Sequence, residues 1–363
     1  MSDLDIKDYV FRKGAAKRIP VSGTFELTSR CNLSCKMCYV HMSKEEQAKI
    51  GAELTAGEWI DLGRQAVDAG MIYLLLTGGE PLLRPDFEEI YTSLIKMGLM
   101  MTINTNATLM TPRIAELFKK HRPEKVNVTL YGMSDGTYGD LCGNCGGFEK
   151  ALAGIRLLKE AGVRLNLNTT FTQRNIGDME RIVAFAKENE IPIRMTGFIF
   201  PPVRNSHAAD ELYLSPEELG RHSAHFDRLT LTQEKIAGRK KFIRRCLQDL
   251  PGELEPEECT ISSCMAGRGA FWVSWDGKLY PCGMLPDFAR DVRRESFADA
   301  WRQTHEAARE MRVPSECTAC VYQKLCPTCA AVSMSLTGAT DGLPEELCRR
   351  TKAYVEAFLE ENE

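Results

Sequence analysis

The sequence predicts an α/β fold: a parallel sheet, either curled into a partial barrel or doubly wound, followed by a smaller cysteine-rich region. Three observations predict it. Six apolar runs of strand length recur with helix-length segments between them, those segments carry helix caps or amphipathic spacing, and eight of the fourteen cysteines fall between Cys259 and Cys348. At 363 residues the chain is long enough for about two domains. A hydrophobic fraction of 44% with 26% charged residues and a net charge of −4 excludes disordered, collagen-like and polybasic nucleic-acid-binding classes. No apolar run approaches the ~20 residues of a membrane span. The first 22 residues mix Asp3, Asp5 and Asp8 with Lys7, Arg12, Lys13, Lys17 and Arg18, without the apolar stretch of a signal peptide, so a cytoplasmic location is expected.

Strands are expected at 24–27, 72–76, 100–104, 126–130, 164–170 and 193–200. Helices are expected between them. Residues 56–69 follow a Thr55 cap with Glu58 three residues on, 87–97 is amphipathic, and 148–160 ends at Gly162. Six strand–helix units require parallel pairing, which places a ligand site at the carboxyl ends of the strands. The pattern stops at Phe200-Pro201-Pro202. The expected organisation is an N-terminal arm at 1–22, the βα region at 23–200, a helical bridge at 201–255 and the cysteine-rich region at 256–363. Lys235, Arg239, Lys240, Lys241, Arg244 and Arg245 in the bridge read as a solvated helix face, with an acidic dock as the alternative. The last region has too little alternating apolar sequence to stand without cross-links, and bound metal is expected to stabilise it.

Cysteines carry the chemistry. Fourteen of them without an export signal read as metal ligands rather than disulfides. Cys31, Cys35 and Cys38 form a C-x3-C-x2-C run directly after the first strand. Three thiolates on one loop can hold three irons of a four-iron cluster and leave the fourth open, whereas structural zinc needs a fourth protein ligand. Thr77-Gly78-Gly79-Glu80-Pro81 ends the second strand at the same rim. Its glycines let a ligand approach the backbone, and the Glu80 carboxylate suits an amino-acid-like moiety.

These residues resemble the signature of the radical S-adenosylmethionine enzymes, C-x3-C-x-Φ-C followed by G-G-E-P after the second strand, over residues ~20 to 200. Met37 stands at the usually aromatic Φ position. The resemblance implies a partial (β/α)6 barrel in which Cys31, Cys35 and Cys38 hold a 4Fe-4S cluster and act catalytically. It implies that S-adenosylmethionine binds against Met37, Gly78, Gly79, Glu80 and Pro81. Its open-iron chemistry would cleave S-adenosylmethionine to a 5′-deoxyadenosyl radical that abstracts hydrogen from substrate. Thr105, Asn106, Asn168 and Thr170, at later strand ends, occupy places where that family makes further contacts.

The C-terminal array reads Cys259-x4-Cys264, Gly277-x4-Cys282, Cys317-x2-Cys320-x5-Cys326-x2-Cys329 and Cys348. Eight thiolates are the number that saturates two four-iron clusters; a zinc site made by the two C-x2-C pairs is the alternative. The array resembles the SPASM domain, with the last internal spacing shortened to x2. The resemblance implies Cys259, Cys264, Cys282 and Cys329 for one auxiliary cluster, and Cys317, Cys320, Cys326 and Cys348 for a second, giving three 4Fe-4S clusters in all.

The remaining candidates read as structural. Cys142 and Cys145 are expected to be loop thiols, with a substrate-facing pair as the alternative, and Cys246 a helix residue. His222 and His225 lack a carboxylate at metal spacing, and His41 is given no role. Trp272 and Trp275 flank a hairpin signal at Asp276-Gly277 and read as core; Tyr131, at the end of the fourth strand, also reads as packing, with a radical relay or substrate stack in the cavity as the alternative. No phosphate-binding loop, dinucleotide fingerprint or serine-hydrolase elbow appears.

Together the resemblances imply an oxidoreductase that modifies a ribosomally made peptide or a protein, leaving a thioether, another crosslink or a related change. An external one-electron donor of flavodoxin or ferredoxin type is expected. With about 22 residues before the first strand, leader recognition would fall to residues 203–255 or to a separate protein. The alternatives are sulfatase-maturase-type oxidation, against which Gly283 stands where those relatives carry an aspartate base, and a small-molecule or tetrapyrrole substrate. An electron carrier or zinc scaffold needs no open iron beside a Gly-Gly-Glu turn.

Overall fold

The computed structural model describes residues 6–196, 198–201, 210–248 and 264–360. Helix α1 (Ile6–Ala16) precedes β1 (Ser22–Glu26). Helices α2 (Lys44–Ile50) and α3 (Ala56–Asp68) lead to β2 (Tyr73–Thr77), α4 (Phe87–Ile95) to β3 (Met100–Thr105), and α5 (Pro112–Lys120) to β4 (Lys125–Thr129). Helices α6 (Asp135–Cys142) and α7 (Gly147–Glu160) lead to β5 (Leu165–Thr170), and α8 (Met179–Glu188) to β6 (Ile193–Thr196). Capping boxes start α2 and α3, where Ser43 pairs with Glu46 and Thr55 with Glu58. The sixth strand was expected to reach residue 200. It is regular only to Thr196, and the rings of Phe198 and Phe200 instead meet edge-on at 4.9 Å just before Pro201.

Strands β1 to β6 pair in parallel and in sequence order. An uninterrupted order curls the sheet one way, whereas a doubly wound sheet reverses at a switch point. One face buries Phe25, Leu76, Ile103, Val126, Val128 and Leu167 completely. The other is polar: Asn104 and Asn127 are register partners, and Asn127 Nδ2 donates to Asn104 Oδ1 at 2.8 Å. Alternation along each strand thus puts the hydrophobic core outside the curl and hydrogen-bonding groups inside it.

Beyond the barrel come α9 (Pro216–Thr230) and α10 (Gln233–Gln248), then β7 (Ala270–Val273), β8 (Lys278–Tyr280), β9 (Arg290–Asp291), α11 (Phe297–Glu310), α12 (Ala330–Thr337) and α13 (Glu345–Leu359). The cysteine-rich region shares the barrel's sheet. Strand β7 pairs in parallel with β1, and the order β6-β5-β4-β3-β2-β1-β7-β8-β9 makes one nine-stranded sheet. Phe271 of β7 packs on Phe25, Phe297 and Trp301, and Trp272 Nε1 donates to Glu26 at 2.9 Å. The β7–β8 hairpin turns at Gly277, whose φ of 81° suits glycine. Trp275 is core, at 1% exposure. In the bridge, α10 presents Arg239 to Asp227 and to the Tyr354 hydroxyl, so part of its basic face is paired inside the molecule. No helix among the described residues is long and apolar enough to cross a membrane.

Candidate metal centre

The first cysteine loop leaves β1 and crosses the carboxyl rim of the sheet against the turn after β2. Gly79 N donates to Thr28 O at 2.7 Å and Glu80 N to Arg30 O at 2.9 Å. A Cβ on Gly78, at φ 155°, would lie 2.6 Å from Thr28 O, and one on Gly79 would lie 2.3 Å from Arg30 O. Any side chain at either position would therefore force the two loops apart. A network without a sequence signature anchors the loop from below. Arg84, with a side chain only 4% exposed, donates to Leu27 O at 2.8 Å and Leu54 O at 3.0 Å and pairs with Asp86 and Glu53. Glu53 also accepts from Arg30 Nε at 3.1 Å, from Gln47 at 2.7 Å and from the Thr28 hydroxyl. Residues 27–30 are thus fixed before the first cysteine is reached.

Glu80 is fully buried. Its carboxylate accepts from Leu82 N at 3.0 Å, Asn106 N at 2.8 Å and the Thr105 hydroxyl at 2.8 Å, which clamps the ends of β2 and β3 together. Burial outweighs these donors and lifts the carboxyl to about 7. In this structure the Glu80 carboxylate is occupied by these protein donors, at the rim beside the cysteine loop.

Cys31, Cys35 and Cys38 come together beside this clamp. Burial, followed by the negative charges of Glu80 and the other two thiols, raises Cys31 to about 12; burial and Cys35 raise Cys38 to about 11. Cys35 is raised as well, first by a hydrogen bond with the Cys142 side chain and then by burial. Donors nevertheless converge on these sulfurs: Leu33 N at 3.4 Å and Asn106 Nδ2 at 3.6 Å to Cys31, His41 N at 3.3 Å to Cys38. Half-buried thiols, mutually repelling as thiolates and supplied with N–H donors, fit an iron–sulfur group that would furnish the missing positive charge.

The other expected site residues divide. Met37 is buried in the core behind the loop, and Pro81 is buried at the turn. Thr105 and Asn106 join Glu80 and Cys31. Asn168 and Thr170 stay on β5, where Asn168 Oδ1 accepts from Asn166 at 2.9 Å and Thr170 O from Asn175 at 3.0 Å; neither is bonded to the cysteine loop. His41 contributes through its backbone, and Cys142 lies against Cys35. No sequence pattern singled out the last contact, which joins positions 107 residues apart.

The structure gathers the C-terminal cysteines into two sets. Cys264, Cys282 and Cys329 line a cavity of about 750 Å³ together with Arg12, Arg268 and His305; Cys259 lies outside the described residues. Cys317 neighbours Cys326, Cys348 and Cys320, and burial followed by their charges raises it to about 11. Cys348 neighbours Cys326 and Cys320 in turn. Chain order is therefore interleaved in space, with Cys329 leaving its C-x2-C partner for the first set. No group of three or more His, Cys, Asp or Glu among the described residues has the arrangement of a one-ion site, and the described cysteines are all free.

Comparison with known proteins agrees with this geometry. Residues 25–186 match the radical SAM superfamily, and residues 264–330 match SPASM, an iron-sulfur cluster-binding domain. The AdoMet-dependent heme synthase of Methanosarcina barkeri is 30% identical over 334 residues, which cover 89% of this chain and 94% of that protein. The sporulation killing factor maturation protein SkfB of Bacillus subtilis is 25% identical over 287 residues, 77% of this chain and 64% of that one. The crystal structure of Streptococcus suis SuiB bound to precursor peptide SuiA superposes with a TM-score of 0.69 at 17% identity, covering 94% of this chain and 80% of that one.

Proposed function

The chain belongs to the radical S-adenosylmethionine superfamily and carries a SPASM iron–sulfur domain, and from that premise we propose that it modifies a tetrapyrrole on the route to haem. The observation that carries this reading is the 30% identity to an AdoMet-dependent heme synthase over 94% of that protein's length. The sequence had favoured a peptide substrate. That remains the second reading, supported by the likeness to SkfB and by the shared fold with a peptide-bound SuiB.

In either case Cys31, Cys35 and Cys38 would hold the cluster that reductively cleaves S-adenosylmethionine. By the family resemblance the turn Gly78, Gly79, Glu80 and Pro81 would receive the methionine end of S-adenosylmethionine, with Met37, Thr105, Asn106, Asn168 and Thr170 as the further contacts that resemblance implies. Cys259, Cys264, Cys282 and Cys329 would hold one auxiliary cluster and Cys317, Cys320, Cys326 and Cys348 the other. A flavodoxin- or ferredoxin-type donor supplies electrons, and a separate leader-binding protein belongs only to the peptide reading.

The deciding experiment incubates anaerobically reconstituted protein with reductant, S-adenosylmethionine and iron coproporphyrin III, a tetracarboxylate iron porphyrin. The expected result is porphyrin-dependent formation of 5′-deoxyadenosine with a matching mass change in the porphyrin. Unchanged porphyrin, together with 5′-deoxyadenosine formation that rises only on adding a peptide encoded nearby, would reverse the order of the two readings.

A further inference from the structure

Helix α10 carries Lys235, Arg239, Lys240, Lys241, Arg244 and Arg245 against a single acid, Glu234. One side of the helix is used inside the molecule. Ile236, Ile243 and Leu247 share an apolar cluster with Ala224 of α9, Val355 and Phe358 of α13, and Tyr322 and Leu325. Arg239 pairs with Asp227, and Lys240 Nζ donates to Glu360 O at 3.3 Å. At ~100° per residue, Lys241 and Arg245 fall on the opposite side, with Phe242 and Arg244 flanking them. All four are exposed, and the three cations have no acidic partner among the described residues. Arg245 lies over the Phe242 ring, 5.7 Å from its centroid.

The helix packs on the second cysteine set. Tyr322 and Leu325 belong to the turn between Cys320 and Cys326, where Leu325 N and Cys326 N both donate to Tyr322 O at 2.8 Å. Cys348 of this set is exposed, whereas Cys264, Cys282 and Cys329 of the other set are only partly so. Six large apolar side chains are exposed among the described residues, and two of them, Phe242 on α10 and Val321 beside Cys320, belong to this junction. Exposed apolar groups among charges mark a surface that meets another protein. We propose that Lys241, Arg244 and Arg245, around Phe242, form the docking face for an acidic one-electron carrier protein, which delivers its electron beside the Cys320–Cys326 turn. The inference rests on reading Cys317, Cys320, Cys326 and Cys348 as ligands of an auxiliary cluster. In the step served, the anionic flavin hydroquinone of a flavodoxin loses one electron to become the neutral semiquinone, and the iron–sulfur group gains that electron, with no proton moved. Unpaired cations speed the encounter with a negatively charged partner by ~10-fold or more, and electron carriers need only a small, briefly occupied interface. A peptide substrate has to reach the Cys31–Cys38 loop; a carrier has only to come near a redox group, and this face adjoins one.

The test compares full-length, anaerobically reconstituted wild type with the triple variant Lys241→Glu/Arg244→Glu/Arg245→Glu. A control variant reverses three exposed cations elsewhere, Arg113, Lys119 and Lys120 on α5. Oxidation of flavodoxin hydroquinone is followed by stopped flow at rising ionic strength, binding of oxidised flavodoxin by calorimetry, and 5′-deoxyadenosine formation with dithionite as a small-molecule reductant. At low ionic strength the α10 variant is expected to accept electrons from flavodoxin at least ~10-fold more slowly and to bind it more weakly, with the salt dependence of wild type flattened. Its dithionite-driven 5′-deoxyadenosine formation should equal that of wild type. Unchanged transfer from flavodoxin, whether the face then serves an acidic peptide or only solvent, would overturn the proposal. So would an equal fall in the α5 control, or an equal fall with dithionite. Wild-type protein that holds only about four irons per chain would overturn the auxiliary-cluster reading, and the proposal with it.

Discussion

The two cysteine regions are held by different physics. The Cys31–Cys38 loop rests on a preformed rim: a parallel sheet with fully buried Phe25, Leu76 and Ile103 beneath it, two glycines that permit close approach, and the Arg84–Glu53 network. The C-terminal cysteines have less behind them. Their local apolar cluster is Met284, Leu285, Met311, Ala330 and Ala331, with Cys264, Cys282 and Cys329 themselves packed against it. The first region should keep its shape without metal, while the second should depend on what its thiolates bind.

The largest expected effect separates chemistry from stability. Cys35→Ala should reduce 5′-deoxyadenosine formation by at least ~10³-fold, as expected when the group that makes the reaction possible is lost, while the melting temperature stays near wild type. Substantial residual turnover on chromatographic analysis would break the assignment of the first loop. Next, chelation or oxidative removal of metal should expose residues 311–348 to protease well before the barrel is cut. Simultaneous cleavage of both regions, mapped by mass spectrometry, would erase the contrast drawn above.

A third prediction probes the rim itself. Arg84→Met leaves Glu53 and Asp86 partly buried without their shared cation, and should cost about 3 kcal/mol in urea unfolding, within the range for breaking a buried pair. A cost below ~1 kcal/mol would mean that the network does not support the loop.

The smallest effect concerns Glu80. Its folded-state value of about 7 lies above the ordinary 4.5, so the folded protein holds the proton more tightly than the unfolded chain. This contribution is present in full below pH 4.5 and is lost as pH rises through 7, amounting to at most about 3 kcal/mol by linkage. Metal-free wild type should therefore lose stability relative to Glu80→Gln between pH 5 and 8. Parallel pH profiles of the two proteins in urea titrations would contradict the assignment.

What the sequence discloses follows the range of the interactions. The strands at 100–104 and 126–130 and the helix at 56–69 are legible because their apolar spacing and caps are local; Thr55 and Glu58 specify the start of α3 without help from elsewhere. Cysteine spacing likewise exposes the two metal-binding regions. The β1–β7 pairing is not legible, because four short residues of β7 meet Ser22–Phe25 across nearly 250 positions and nothing near either strand states the register. The same applies to Glu53 with Arg84, and to Cys35 with Cys142. Each looks ordinary in its own neighbourhood, and its importance arises only once the sheet brings the two segments face to face.

The docking of β7 onto β1 also decides how the gene product can be cut. A fragment ending near residue 200 would retain every barrel strand and the β1–β2 ladder yet leave the other edge of β1 without its partner β7, and would uncover Phe25 where Phe271 now lies. Such a raw margin invites pairing between copies. The excised barrel should precipitate, and co-expression with residues 210–363 as a second polypeptide should restore solubility by supplying the missing strand in trans.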